Sequence, residues 1–290
     1  MNAACIQGID IGFATLSYAQ ISALGVVQGL TELLPISSTA HMRIVPALLG
    51  WADPGSAFSA IMQLAALAAV LSYFAKDVRE LVSGTATAVR GRHYEAPVLR
   101  MSVGIVLATV PIGAAGLLLA PYLNACNSSF RSLTVIAWAS IAMAMLLAIS
   151  EWKCRHIRPL RDMRLRDALW VGLAQVGALV PGVSRSGSTL TGALFLNFRR
   201  EDAARFSFLL GLPAIALAGL KELLVLWHAH IPVEAWQHLA VGLLVGSASA
   251  FVAIWGLMKF LERFSTWLFV GYRALMGMLL LLALHVGWLN

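Results

Sequence analysis

The sequence predicts an all-α polytopic membrane protein, with six transmembrane helices and two re-entrant helix hairpins in an inverted-topology repeat. Three observations predict it. The 290-residue chain is 59% hydrophobic and only 12% charged, with a mean hydropathy of +0.79, a composition outside the range of soluble domains. Uncharged apolar runs reach the ~20 residues that cross a bilayer, whereas a soluble helical protein of this size needs charged outer faces. Two further apolar stretches are broken by proline and hydroxyl residues.

Residues 12 to 50 form the first broken stretch, interrupted at Pro35-Ile36-Ser37-Ser38. Each half is too short to span, so the economical reading is a hairpin that enters the membrane and returns to the same side. Three spans follow, at 56 to 75, 101 to 121 and 131 to 150. The second broken stretch, 168 to 198, is interrupted at "PGVSRSG", 181 to 187, and the last spans are 206 to 227, 239 to 258 and 267 to 288. The chain is one membrane domain, 1 to 290, with halves of about 1–150 and 151–290.

Basic residues test this count. Lys76, Arg79, Arg90, Arg92 and Arg100 share one loop, six residues from Lys153 to Arg166 a second, Arg199, Arg200 and Arg205 a third, and Lys259 and Arg263 a fourth. Six crossings and two hairpins put all four loops on one side, which the asymmetry identifies as cytoplasmic. Both termini then lie outside, and the hairpins enter from opposite faces, as in an inverted repeat. "VVQGLTELLPISSTAH" and "LAQVGALVPGVSRSG" support the pairing, with Pro35 and Ser38 matched to Pro181 and Ser184 and one gap upstream. The net charge of +7 needs no nucleic acid, since orientation and anionic headgroups account for it. No Lys or Arg precedes Arg43, so the N-terminus lacks a signal-peptide n-region and is expected to be retained. Cys5, Cys126 and Cys154 have no ligand-like spacing and read as apolar filler. Trp227, Trp236, Trp255, Trp267 and Trp288 fall near predicted span ends, as an aromatic belt would.

The polar chemistry sits at the breaks. Each is followed by a helix start, where free amides and the dipole favour an anion. Ser37, Ser38 and Thr39 at one break and Ser184, Ser186 and Ser188 at the other add hydroxyls, and Arg185 adds a forked cation suited to phosphate or carboxylate. Ser38 and His41 are three apart, so on one helix face the imidazole could accept the serine's proton or itself attack. Glu32 could orient His41 or bind a divalent cation bridging phosphate oxygens. Simpler roles exist for each: N-caps for the serines, a structural ion pair between Arg185 and Glu32, a satisfied buried imidazole for His41, plain helix breaking for Pro35 and Pro181. None explains why an acid, an imidazole, an arginine and six hydroxyls gather at two breaks. Gln63 and Gln175 in apolar helices could line the cavity or pack between helices. No cysteine phosphatase motif, P-loop or dinucleotide glycine pattern is present.

"GVVQGLTELLPISSTAHM", 25 to 42, with "ALVPGVSRSGSTLTGALFLNFRREDAARFSFLLGLPA", 178 to 214, closely resembles the undecaprenyl-pyrophosphate phosphatase family associated with bacitracin resistance, and "FSAIMQLAALAAV" from Phe58 extends the likeness over essentially the whole chain. The resemblance implies a bacterial inner-membrane enzyme, open to the periplasm, that removes the terminal phosphate of a C55 isoprenyl diphosphate and recycles the carrier for envelope synthesis. It carries catalytic roles onto Glu32, Ser38, His41 and Arg185, and supporting phosphate or metal contacts onto Ser37, Thr39, Ser184, Ser186 and Thr189. It also implies dependence on a divalent cation, Mg2+ or Ca2+, with Glu32 as its ligand. Some members have Glu where this chain has Gln28; the amide can ligate a hard cation through its carbonyl but cannot act as a base. The competing function is a flippase or transporter for polyprenyl phosphate built on the same anion site. A homodimer is among the assemblies the sequence allows.

Overall fold

The computed structural model describes residues 5–6, 9–123 and 132–289, with side chains of 5–10 and of the end of α5 outside that description. Cys126 therefore lies outside the described residues, and of Cys5 only the backbone is described; Cys154 is free and half-buried. A two-residue antiparallel pairing, β1 (Cys5–Ile6) with β2 (Ile9–Asp10), precedes eleven α-helices among the described residues.

In α1 (Tyr18–Leu33) a capping box between Ser17 and Gln20 starts the helix, satisfying two first-turn donors at once. The chain restarts as α2 (Ser38–Leu49), which Gly50 ends in the left-handed conformation at φ 66. Then come α3 (Gly55–Tyr73), α4 (Ala75–Arg90), α5 (Pro97–Leu123), α6 (Leu133–Lys153), α7 (Leu165–Val176), α8 (Arg185–Phe195), α9 (Arg200–His228), α10 (Val233–Leu261) and α11 (Trp267–His285). Six of these, α3, α5, α6, α9, α10 and α11, are long and apolar enough to cross a membrane. They are the six expected spans, with ends moved by a few residues. Arg200 and Arg205 lie in the first turns of α9 rather than in a loop, and the basic segment after Lys76 is largely the helix α4, in which only Ala88 is buried.

The packing pairs α1 with α10, α5 with α7, α3 with both α9 and α10, and α6 with α11. The core is apolar, but so is much of the outer surface, and the buried polar residues include a group at the two breaks. Leu117, Leu118, Leu224, Leu244 and Leu282 are exposed, as are Trp227, Trp255, Trp267 and Trp288, whereas Glu32, Gln28, Ser38, Ser186, Thr189 and Arg273 are buried. An outer surface this apolar is matched to lipid.

The four basic segments meet at one end. Arg100 Nη2 donates to the Arg161 carbonyl at 3.1 Å, the Arg199 amide donates to the Arg158 carbonyl at 2.9 Å, and Arg205 pairs with Asp77. Glu151, at the end of α6, accepts from Arg200 Nε at 2.8 Å and from the Thr266 hydroxyl, just before α11, at 2.8 Å.

Candidate active site

The first break begins where Pro35 removes an amide donor and drives Leu34 into extended backbone, ψ 145. Ser37 then turns the chain at φ 73 and caps α2, its hydroxyl accepting from the Ala40 amide at 3.4 Å. Glu32 occupies the last turn of α1, and Gln28, four residues earlier, shares its face. Gln28 Nε2 donates to Glu32 Oε2 at 3.1 Å, and the Ser38 hydroxyl donates to the same oxygen. Gln28 Oε1 is buried with no hydrogen-bond partner.

The second break runs from a 3-10 turn, Gly177–Leu179, through Pro181 to Ser184. Gly182 sits at φ +97, and a Cβ there would lie 2.8 Å from the Ile136 carbonyl oxygen, so only glycine fits. Ser184 turns the chain at φ 75 and caps α8, accepting from the Gly187 amide at 3.1 Å. Its backbone counterpart is Ser37, not Ser38: the match of Pro-x-x-Ser to Pro-x-x-Ser is one residue out of register with the turns. With Ser184 placed on Ser37 no gap is needed, and Gln175 falls on Gln28.

Three contacts join the breaks. Arg185 Nη2 donates to Glu32 Oε1 at 3.2 Å, so the ion pair considered as a simpler role is formed. Yet Arg185 Nε and Nη1 are buried without a partner, and buried donors left open are costly unless a ligand fills them. Gly211 on α9 makes room for this guanidinium, since a Cβ there would stand 2.0 Å from Nη1. The Ser186 hydroxyl lies 3.1 Å from the Glu32 carbonyl oxygen and 3.0 Å from that of Leu34. The third joint comes from α11: Arg273, 1% exposed, donates from Nη1 to the Pro35 carbonyl at 3.0 Å and from Nη2 to the Gly182 carbonyl at 2.6 Å.

The remaining candidates divide. Thr39 meets the Ser37 hydroxyl at 3.1 Å, and Ser184 meets Ser186 at 3.2 Å. Thr189 is turned away, donating to the Arg185 carbonyl at 2.8 Å and bonding Ser207 on α9, while Ser188 donates to the same carbonyl at 3.0 Å. His41 makes no hydrogen bond with Ser38 or Glu32. Its Nδ1 lies 2.7 Å from the Ser37 carbonyl and its Nε2 2.6 Å from the Tyr272 hydroxyl. Sharing a helix face therefore does not give the Ser38–His41 hydrogen bond expected from their spacing; Ser38's proton acceptor is Glu32. Arg273 and Tyr272 were not singled out from sequence, although an arginine inside the apolar run 267 to 288 is a signal in itself.

The donor set fits a hard divalent cation in part. Glu32 and the unpartnered Gln28 Oε1 are oxygen ligands on one helix face, but no group of three or more His, Cys, Asp and Glu side chains gathers among the described residues. Such a pair suits an ion that takes its other ligands from phosphate and water rather than a protein cage.

The chain is similar to known proteins over most of its length. A family model described as bacitracin resistance protein BacA matches residues 21–279. The chain is 65% identical over 263 residues to undecaprenyl-diphosphatase 2 of Mesorhizobium japonicum, covering 91% of this chain and all of that one. It is 52% identical to the undecaprenyl-diphosphatase of Gloeobacter violaceus, covering 92% and 91% of the two chains, and 48% identical to that of Synechococcus elongatus, covering 93% and 94%.

Proposed function

The chain belongs to the bacitracin resistance protein BacA family, and from this we infer that it is an integral-membrane undecaprenyl-diphosphatase. It hydrolyses undecaprenyl diphosphate to undecaprenyl phosphate and inorganic phosphate, returning lipid carrier to cell-wall synthesis and conferring resistance to bacitracin. The observation that carries the chemistry is Arg185, with two buried nitrogens open beside the Glu32–Ser38 pair.

In this reading Arg185 and the first-turn amides of α2 and α8 hold the terminal phosphate, where phosphoryl transfer is driven by positioning and charge neutralisation. Ser38 Oγ attacks the terminal phosphorus while Glu32 takes its proton. The bond from phosphorus to the bridging oxygen breaks and its electron pair leaves on undecaprenyl phosphate. Water then releases phosphate from the serine. Mg2+ or Ca2+, held by Glu32 with Gln28 Oε1, would neutralise phosphate charge. An inverted repeat also suits a transporter, but holding and releasing phosphate does not call for a hydroxyl donating to a buried carboxylate, and that contact favours hydrolysis.

The same proposal places α1–α2 and α7–α8 as re-entrant hairpins in an inverted repeat of halves 1–150 and 151–290. At about 1.5 Å per residue the helices α2 and α8 fall well short of a ~30 Å hydrocarbon core. Supporting the repeat, α1 packs on α10 of the other half as α7 packs on α5, and α3 pairs with α9 and α6 with α11. The converging basic end faces the cytoplasm of a bacterial inner membrane by charge asymmetry, with the site open to the periplasm.

The test is phosphate release from a C55 diphosphate in detergent, with and without EDTA, by wild type and Arg185→Ala. Release that needs a divalent cation and falls at least ~10²-fold in the variant is the expected result. Failure of well-folded wild type to release phosphate under varied metals would sink the reading.

A further inference from the structure

His41 has both ring nitrogens engaged. A carbonyl oxygen can only accept, so the 2.7 Å contact with Ser37 puts the imidazole proton on Nδ1. Nε2 then carries the lone pair, and the 2.6 Å contact with Tyr272 is the phenol donating to it. The rings stack with centroids 5.7 Å apart and planes 13° from parallel, which fixes the pair as a unit. His41 is buried and both its ring nitrogens are engaged, so the atom of this unit left able to accept a further hydrogen bond is the phenol oxygen.

Resting on the phosphatase reading above, we propose that Tyr272 is a further catalytic residue, the relay through which His41 acts as base in the hydrolysis of a phosphorylated Ser38. Water attacks phosphorus, its proton passes to the phenol oxygen, and the phenol proton passes to His41 Nε2. The bond between phosphorus and Ser38 Oγ breaks, its electron pair stays on Oγ, and Oγ recovers the proton that Glu32 took in the first step. Inorganic phosphate leaves, and the proton on His41 returns to solvent. Glu32 serves Ser38, and the His41–Tyr272 unit serves water. This division explains why Ser38 hydrogen-bonds the carboxylate and not the imidazole three residues on.

Two readouts separate a relay from a structural contact. Tyr272→Phe should lower kcat by about 10²-fold or more with KM little changed, and should accumulate phosphate on Ser38, detectable by intact mass and peptide mapping after mixing with C55 diphosphate. His41→Gln should trap the same species, and the double variant should be no slower than the worse single one, since groups acting as a unit are not additive. Wild-type turnover by Tyr272→Phe overturns the relay, as does loss of activity in both variants with no phosphoserine on either. Absence of phosphate release by wild type would instead refute the phosphatase reading itself.

Discussion

At the first break Ser37 turns the chain at φ 73 and caps a helix; at the second Ser184 does the same at φ 75. In the register that superposes these serines, Gly25 falls on Gly172 and Gln28 on Gln175, yet Glu32 falls on Leu179, Ser38 on Arg185 and His41 on Ser188. The backbone device is present twice and the reactive side chains are not. One break carries the acid, the hydroxyl and the imidazole, the other carries the cation. The glutamines show the consequence. Gln28 donates to Glu32 one turn on, while Gln175, with leucine in that place, is fully buried with neither amide atom partnered. Across the gap the second break instead supplies a guanidinium, Arg185 Nη2 donating to Glu32 Oε1 at 3.2 Å.

Because Arg273, alone among the described residues, donates from its side chain to a carbonyl at each break, its loss should have the largest effect on the comparison. Arg273→Met would leave the Pro35 and Gly182 carbonyls buried and unpaired, at about 1–3 kcal/mol each. The expected outcome is a clear fall in Tm in detergent together with loss of nearly all phosphate release. An unchanged Tm would mean that the breaks hold each other without α11.

A smaller and more selective effect is expected within the first break. Glu32→Gln removes the acceptor of the Ser38 proton and the partner of Arg185, and should lower kcat/KM by at least ~10²-fold. Gln28→Ala removes one neutral donor and the uncharged member of the cation's ligand pair but leaves the carboxylate in place, and should lower it by less, about tenfold. Equal losses would refute this division of labour, and would make the amide carbonyl as important to the site as the carboxylate.

Much of the fold was legible because lipid imposes a coarse rule: runs of Ala, Leu, Val and Ile long enough to cross became α3, α5, α6, α9, α10 and α11. The breaks were legible because proline there falls together with clustered hydroxyls and a charge, whereas Pro111 and Pro213 lie inside α5 and α9 without ending them. The helix α4 is hidden by Lys76, Arg79 and Arg90, whose charges read as a basic loop, although Val78, Leu81, Val82 and Val89 recur at helical spacing. At the site, residue types and their neighbourhood were readable while their pairing was not. Ser38 turns across the break to Glu32, and His41 turns to Tyr272, more than two hundred residues away in sequence. Spacing along one helix fixes a shared face but not the rotamer, nor which other helix arrives beside it.

The smallest effect tests whether the two serine turns are alike in energy as well as shape. A non-glycine residue at positive φ costs roughly 1–2 kcal/mol, and replacing a capping serine by glycine loses only a few tenths. Ser37→Gly and Ser184→Gly should each therefore leave stability unchanged or raise it by up to ~1 kcal/mol, by similar amounts. Activity separates a cap from a phosphate contact. His41 is held by the Ser37 backbone carbonyl, which glycine retains, so turnover should stay within about threefold of wild type if the hydroxyls serve only as caps. A tenfold or greater rise in KM for one variant alone would show that its hydroxyl reaches the phosphate, and would break the equivalence of the two turns at the point where their backbones are most alike.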